Sequence, residues 1–411
     1  MSSISVSSPV AVAAPTVRET ARAAVNVPVG YLRAFVTVLV VLHHALLAYH
    51  PFAPAPGASL LVEPRVWPAF PVVDAQRSMG SSLFVGFNET FFMSLMFLLS
   101  GLFVWHSVQR KGPLSFVRGR ALRLGVPFAV ASLLLAPLAY YPAYLQTTAR
   151  ATSGGFWEQW TSLGVWCSGP VWFVWVLLAF DCVAATLFAY MPRVAKRWQD
   201  FWGRTSNNSL TFFATLAACS LAVYLPMAVM FGSMHWWAFG PFSVQTSRIL
   251  HYALYFFVGV ALGGLGLDRS VVREDGPLAR RWIVWPFVSL VAFVLAAGVV
   301  ISAVTSPGAT RHWEAIGAVG FVLSCAASSC AMLALFLRFA RRSNAIGDSL
   351  RDNAYGIYLV HYAFVSWLQY LLLTSGVGAV PKAILVTTGA LALSWATSAA
   401  LRTIPAVRRV V

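Results

Sequence analysis

The sequence predicts an all-α, polytopic membrane protein with ten transmembrane helices and both termini cytoplasmic. Three observations carry this. Of 411 residues, 59% are hydrophobic and only 10% charged, with a mean hydropathy of +0.72, whereas soluble domains carry about 25% charge. Apolar runs near the length needed to span, about 20 residues, recur at roughly 30–50, 90–108, 124–144, 170–191, 209–231, 251–267, 282–303, 315–338, 355–374 and 381–402. With the N terminus inside, 23 of the 29 Lys and Arg fall in cytoplasmic segments and span ends, leaving Arg65, Arg77, Arg150, Arg248, Arg311 and Lys382 outside. That asymmetry is the positive-inside pattern, and adding or losing one span would scramble it. The excess of 29 Lys+Arg over 13 Asp+Glu therefore reflects topology, and no nucleic-acid partner is expected, because that role needs cations gathered on a soluble surface.

The elements follow in order. Residues 1–28, rich in Ser, Ala, Val and Pro, lack the long apolar core of a secretory signal and read as a disordered cytoplasmic tail. Residues 29–403 form one transmembrane domain, and 404–411 a short basic cytoplasmic tail. The first span contains RAFVTVLVVLHHALLAY, with Arg33 at one end and His43 and His44 near the other. Arg33 and His44 are eleven residues apart, within about 20° of three full helical turns, so they share a face and stand roughly 16 Å apart along the axis. His43 is turned about 100° away. A histidine inside a bilayer is costly unless it faces the bundle interior or a wet cavity, and its near-neutral pKa suits a general base. A hydrogen bond to a neighbouring helix is the other role open to it.

The second span opens on the outer side at Glu89, read as an interfacial residue with contact to the acceptor as the second role open to it, and ends in Ser100-Gly101. Ser100 can act as a nucleophile only beside a base, whereas a Ser-Gly pair permits close helix packing. Arg110, Lys111, Arg118, Arg120 and Arg123 follow, five cations within fourteen residues; this exceeds what topology needs, although any cytoplasmic loop is basic. Asp181 sits inside the fourth span, where it needs a partner or water; orienting a histidine and pairing with an arginine are both open to it. Tyr358 and His361 lie one turn apart in the ninth span, so both can face one cavity. The longer Trp- and Pro-rich loops near 51–89, 145–169 and 232–250 are placed outside, where they can build a recognition surface. The stretch HWWAFGPF, 235–242, could stack on a sugar, but Trp is also common at membrane interfaces. The five cysteines show no pairing framework and read as packing residues, with no metal site implied.

Several stretches together resemble acyltransferase family 3. They are the Arg33 and His44 spacing of the first span, FFMSLMFLLSGLFVWHSVQRKGPLSFVRGRALRLGVPF (91–128) with its Arg120-x-x-Arg123 pair, GPVWFVWVLLAFD (169–181), and AYGIYLVHYAF (354–364). The resemblance runs from residue 31 to about 370, and the wording around the basic loop is closest to the branch containing glucan-succinylating proteins. The long outer segment from His50 to Glu89 departs from the pattern and points to a particular acceptor.

The resemblance implies transfer of a short acyl group, acetyl or succinyl, from acyl-CoA at the cytoplasmic side to a hydroxyl of a glycan or other glycosylated acceptor. CoA would be a co-substrate, with no bound cofactor. His44 would be the base for the acceptor hydroxyl. Arg33, Arg118, Arg120 and Arg123 would bind donor phosphates, since guanidinium groups pair with phosphate through two parallel hydrogen bonds. His361, Tyr358, Asp181 and Ser100 would support the site. The composition, high in Ala, Val and Arg, fits a bacterial inner membrane. A polytopic transporter or flippase is the second class considered; the inverted repeats common in transporters are not visible, and transport alone leaves the basic cluster unexplained.

Overall fold

The computed structural model describes residues 26–63, 65–147, 154–305 and 311–410. Most of the N-terminal tail expected at 1–28 lies outside the described residues. Its last positions already open the first helix, α1 (Val27–Leu47), where the Asn26 side chain accepts from the Val29 amide and Pro28 occupies the first turn. Both are favoured at helix starts.

Among the described residues, nine helices are long and apolar enough to cross a membrane. They are α1, α2 (Met79–Lys111), α3 (Pro113–Gln146), α5 (Gly169–Tyr190), α7 (Ser209–Phe231), α8 (Thr246–Leu265), α9 (Val284–Ala303), α10 (His312–Phe339) and α12 (Ala379–Leu401). Between them come the short α4 (Phe156–Ser162), the amphipathic α6 (Pro192–Thr205), a hairpin of β1 (Trp236–Phe239) with β2 (Phe242–Gln245), and α11 (Ala345–Leu371). The remaining expected span, the ninth at 355–374, falls in α11. Its 27 residues suffice in length, but Asp348, Arg351 and Asp352 open it and four tyrosines, His361 and Gln369 interrupt its apolar run. A last turn, α13 (Pro405–Arg408), follows α12.

α2 is the central helix, packed on α8, α1 and α10, while α11 packs on α12, α1 and α3. The α2–α8 contact is backbone on backbone. A Cβ on Gly101 would fall 2.2 Å from the Phe256 carbonyl oxygen, and one on Gly259 or Gly263 about as close to the Leu98 or Leu102 oxygen. Small residues four apart are what permit such an approach between membrane helices. At the periphery, α9 turns Phe287, Leu290, Leu295 and Val300 outward, a surface stable only against lipid.

α3 is longer than its expected 124–144 and contains two π turns, Ala121–Gly125 and Ala131–Leu135. Pro127, Pro137 and Pro142 explain its role. A helical proline leaves the carbonyl one turn back without its N–H partner, and those carbonyls become docking points. Arg123, four residues before Pro127, accepts from the Tyr355 hydroxyl at 2.8 Å, and Leu138, four before Pro142, from the Trp367 indole at 2.9 Å. Ser132, five before Pro137 in the wider π turn, accepts from Trp166 at 2.7 Å. Two of these three bonds fasten α11 to α3.

One face of the bundle gathers the basic segments. The opposite, aromatic face is capped by residues 50–63 and 65–78 and by α4, which bury Leu60, Trp67, Phe156 and Trp160 against Tyr140 and Tyr362. The cap is pinned by a wholly buried ion pair, Lys382 Nζ to Asp74 Oδ2 at 2.7 Å.

Candidate active site

α1 carries His44 in its last turn, and α11 brings His361 against it, the ring centroids 5.1 Å apart. Backbone carbonyls determine how the two rings hold their protons. His361 Nδ1 lies 2.7 Å from the Tyr358 oxygen and His44 Nδ1 2.8 Å from the Val40 oxygen. A carbonyl only accepts, so in each neutral ring the proton sits on Nδ1. His361 Nε2 is then a bare acceptor, and it faces His44 Nδ1 at 3.3 Å. The His44 proton is shared between Val40 and His361, and its Nε2 keeps the lone pair. Gln369 holds the end of α1 in register by donating to the His44 and Ala45 carbonyls at 2.9 and 3.1 Å, and Tyr362 meets the His44 ring edge-on at 5.0 Å.

His43, on another face, belongs to a second group. It stacks on Phe92, and its Nε2 lies 3.8 Å from Glu89 Oε2. Glu89 also pairs with buried Arg248 at 2.6 Å, whose guanidinium lies 4.6 Å over the Phe321 ring. Glu89, expected as an interfacial residue, thus anchors α8 to α2 and α1, beyond what its position at a helix end suggested.

On the basic face a cavity of about 430 Å³ opens between α1, α2, α3, α5 and α11. Of the residues singled out in the sequence, Arg33, Ser100, Arg120, Arg123 and Tyr358 line it, whereas His44, His361, Asp181 and Arg118 do not. Arg118 is exposed. Asp181 is buried beneath the wall, its Oδ2 3.2 Å from Arg120 Nε, so of its two open roles the structure supplies the arginine partner. Thr37, also on the lining, is seven residues before His44, about 10 Å along the helix. Tyr358 joins the two regions: its ring lines the cavity, its hydroxyl donates to the Pro170 carbonyl, and its own carbonyl takes the His361 proton.

The lining also contains Lys111, Arg351, Arg408 and Arg409. Lys111 was part of the basic cluster, but the other three read in the sequence only as topological charge. A usable signal existed for Arg351: it follows Asp348 by three residues and precedes Asp352, and it pairs with both, at 2.8 and 3.0 Å. Such a fork holds a guanidinium in one place.

The family model described as an acyltransferase domain matches residues 28–399. The chain belongs to acyltransferase family 3. The match begins in the first turn of α1 and ends inside α12, so both the histidine pair and most of the cavity wall belong to the family domain. No curated protein and no solved structure matches the chain.

The molecule is therefore an integral-membrane acyltransferase, and Ser100, the nucleophile considered in the sequence, can be weighed as such, together with the Cys167 thiol. Ser100 of this acyltransferase donates its hydroxyl to the Met96 carbonyl at 2.8 Å within its own helix, while Gly101 makes the close contact with α8 expected of the pair. Burial pushes the Cys167 thiol up to about 12, so at neutral pH it holds its proton and is a poor nucleophile.

Proposed function

We propose that this acyltransferase moves a short acyl group, acetyl or succinyl, from acyl-CoA to a hydroxyl of a glycan or other glycosylated acceptor, with His44 as general base. The observation that carries the reading is the seat of His44 Nδ1, 2.8 Å from the Val40 oxygen and 3.3 Å from His361 Nε2, which puts the ring proton on Nδ1 and leaves Nε2 free to accept one. The acceptor oxygen gives its proton to Nε2 as it attacks the thioester carbonyl, the C–S bond breaks, and the imidazolium returns the proton to the departing CoA sulfur. The positive charge that forms on His44 is held by the Nδ1–H bond to His361 Nε2, much as a carboxylate orients the histidine of a hydrolase triad. General base catalysis of this kind contributes about 10²- to 10⁴-fold.

The donor enters from the basic face, which the positive-inside rule makes cytoplasmic, and α11 serves as the ninth of ten spans, its polar residues turned to the site. Arg33 and Arg123 hold donor phosphate in the cavity, with Arg120 beside them on its Asp181 partner, while the acyl thioester reaches past Tyr358 toward His44. The chemistry and the topology suit a bacterial inner membrane, with the acceptor met near the aromatic cap. The test is CoA release from acetyl-CoA and succinyl-CoA by the protein in proteoliposomes supplied with membrane glycan extract. Release by wild type that disappears in His44→Ala is the expected result. Equal release by both proteins removes His44 from the chemistry, and no release with either donor removes the donor assignment.

A further inference from the structure

The cavity on the basic face has an unbalanced charge. Arg120 is neutralised by Asp181, and Arg351 by Asp348 and Asp352. Among the described residues, Arg33, Lys111, Arg123, Arg408 and Arg409 line the same space without an ion pair to any carboxylate. Two of these five come from the short segment after α12. Pro405 starts a new turn there, closed by the Arg408 amide donating to the Ile404 carbonyl at 3.0 Å. This turn sets Arg408 and Arg409 at the cavity instead of trailing them into solvent. Both side chains are water-accessible, as groups awaiting an ionic ligand must be.

We infer that Arg408 and Arg409 are part of the donor-phosphate site, and that the C-terminal segment closes the cavity around a phosphorylated nucleotide. This deepens, and rests on, the donor assignment proposed above. Like charges crowded at the edge of a bilayer repel one another, and an anionic ligand relieves that repulsion. The nucleotide end of CoA, a diphosphate with a further phosphomonoester, carries about four negative charges at neutral pH. Arg33, Lys111 and Arg123 alone leave it undercompensated, and the tail pair brings the unpaired cations to five. Two successive guanidinium groups can each grip phosphate oxygens in pairs.

Phosphate can also come from an anionic lipid headgroup at the same face, so the experiment separates the two sources. CoA binding is measured by calorimetry on the full-length protein in nanodiscs of zwitterionic lipid, and again with anionic phospholipid added. The proteins are wild type, Arg408→Gln/Arg409→Gln, the charge-preserving Arg408→Lys/Arg409→Lys, and Arg342→Gln, which removes an exposed arginine outside the cavity lining. The inference expects the double Gln protein to bind CoA about tenfold or more weakly in both lipids, the double Lys protein to recover most of that loss, and Arg342→Gln to match wild type. Unchanged CoA binding in the double Gln protein overturns the inference while the donor assignment stands. A loss seen only with anionic phospholipid overturns it in favour of a lipid contact. Failure of wild type to bind CoA at all removes both.

Discussion

His361 Nε2 lies 3.3 Å from His44 Nδ1, joining two helices whose contacting residues are 317 positions apart in the chain. The contact matters because of what stands behind it. The Tyr358 carbonyl fixes the proton of His361, and that leaves His361 able only to accept. The Val40 carbonyl holds the His44 proton on Nδ1, and the backbone oxygen on α11 sets a second acceptor against that same N–H.

Removing this arrangement separates a base from its positioning residue. His44→Ala is expected to abolish acyl transfer. His361→Ala leaves His44 in place with its Nδ1 proton still on the Val40 carbonyl, but removes the second acceptor that holds the imidazolium charge, and is expected to lower kcat by about 10²- to 10⁴-fold with little change in donor KM. His361→Gln, whose amide oxygen can accept from His44 Nδ1, is expected to restore part of the rate. The measurement is single-turnover CoA release across pH. A His361→Ala enzyme with the wild-type rate and pH profile would show that the pair only packs.

Arg120 and Arg123 are three residues apart on one helix, yet they should fail in different ways. Arg120 covers buried Asp181, so Arg120→Ala strands a carboxylate; breaking a buried pair costs about 3–5 kcal/mol. Arg123 has no carboxylate partner among the described residues, so Arg123→Ala should weaken donor binding at nearly wild-type stability. Thermal unfolding in detergent, set beside donor affinity, distinguishes the two. If both variants unfold at the same temperature, the Arg120–Asp181 pair is not structural.

Periodicity made α1 readable, because an arginine and a histidine eleven residues apart must share a helix face. Span length and the alternation of basic loops likewise marked most of the bundle. What stayed hidden depends on contacts between distant segments. Nothing local shows that Pro127 frees the Arg123 carbonyl for Tyr355, that Asp181 finds Arg120, or that Arg408 and Arg409 return to the cavity. The run at 251–267 is the shortest of the ten, yet its Gly259 and Gly263, four residues apart, bring α8 into backbone contact with α2. The spacing was visible; its partner helix was not.

That contact gives a stability prediction with an internal control. Gly259→Ala or Gly263→Ala forces a Cβ into the carbonyl of Leu98 or Leu102. Backbone cannot swing aside as a side chain can, so α2 and α8 must separate, at a cost of about 3 kcal/mol. Gly298→Ala in α9, with nothing within 4 Å of the new methyl, is expected to be neutral or to stabilise by about 0.5 kcal/mol through helix propensity. Fluorescence-detected gel filtration after a heat step reads all three. Similar survival of the three variants would mean that α2 and α8 are not in backbone contact.

The Asp74–Lys382 pair shows how the aromatic cap reaches the chemistry. Asp74 is tied to the end of α1 by its amide, which donates to the Ala48 carbonyl at 2.9 Å, and to α12 by its carboxylate. The segment it anchors carries Leu60 and Trp67, which pack in the same cluster as Tyr362, and Tyr362 touches the His44 ring. With both side chains wholly buried, Asp74→Ala leaves an ammonium in a dry site and is expected to destabilise by about 3–5 kcal/mol. The loss should appear first as release of the cap, and so as faster tryptic cleavage at Arg65 and Arg77. Asp74→Leu combined with Lys382→Met removes both charges and should regain much of the stability, since apolar replacement of a buried pair is often neutral or better. If the single variant resists trypsin as wild type does, the cap is held by its aromatic cluster and the ion pair is dispensable; if the double variant is as fragile as the single one, the pair contributes geometry that apolar packing cannot replace.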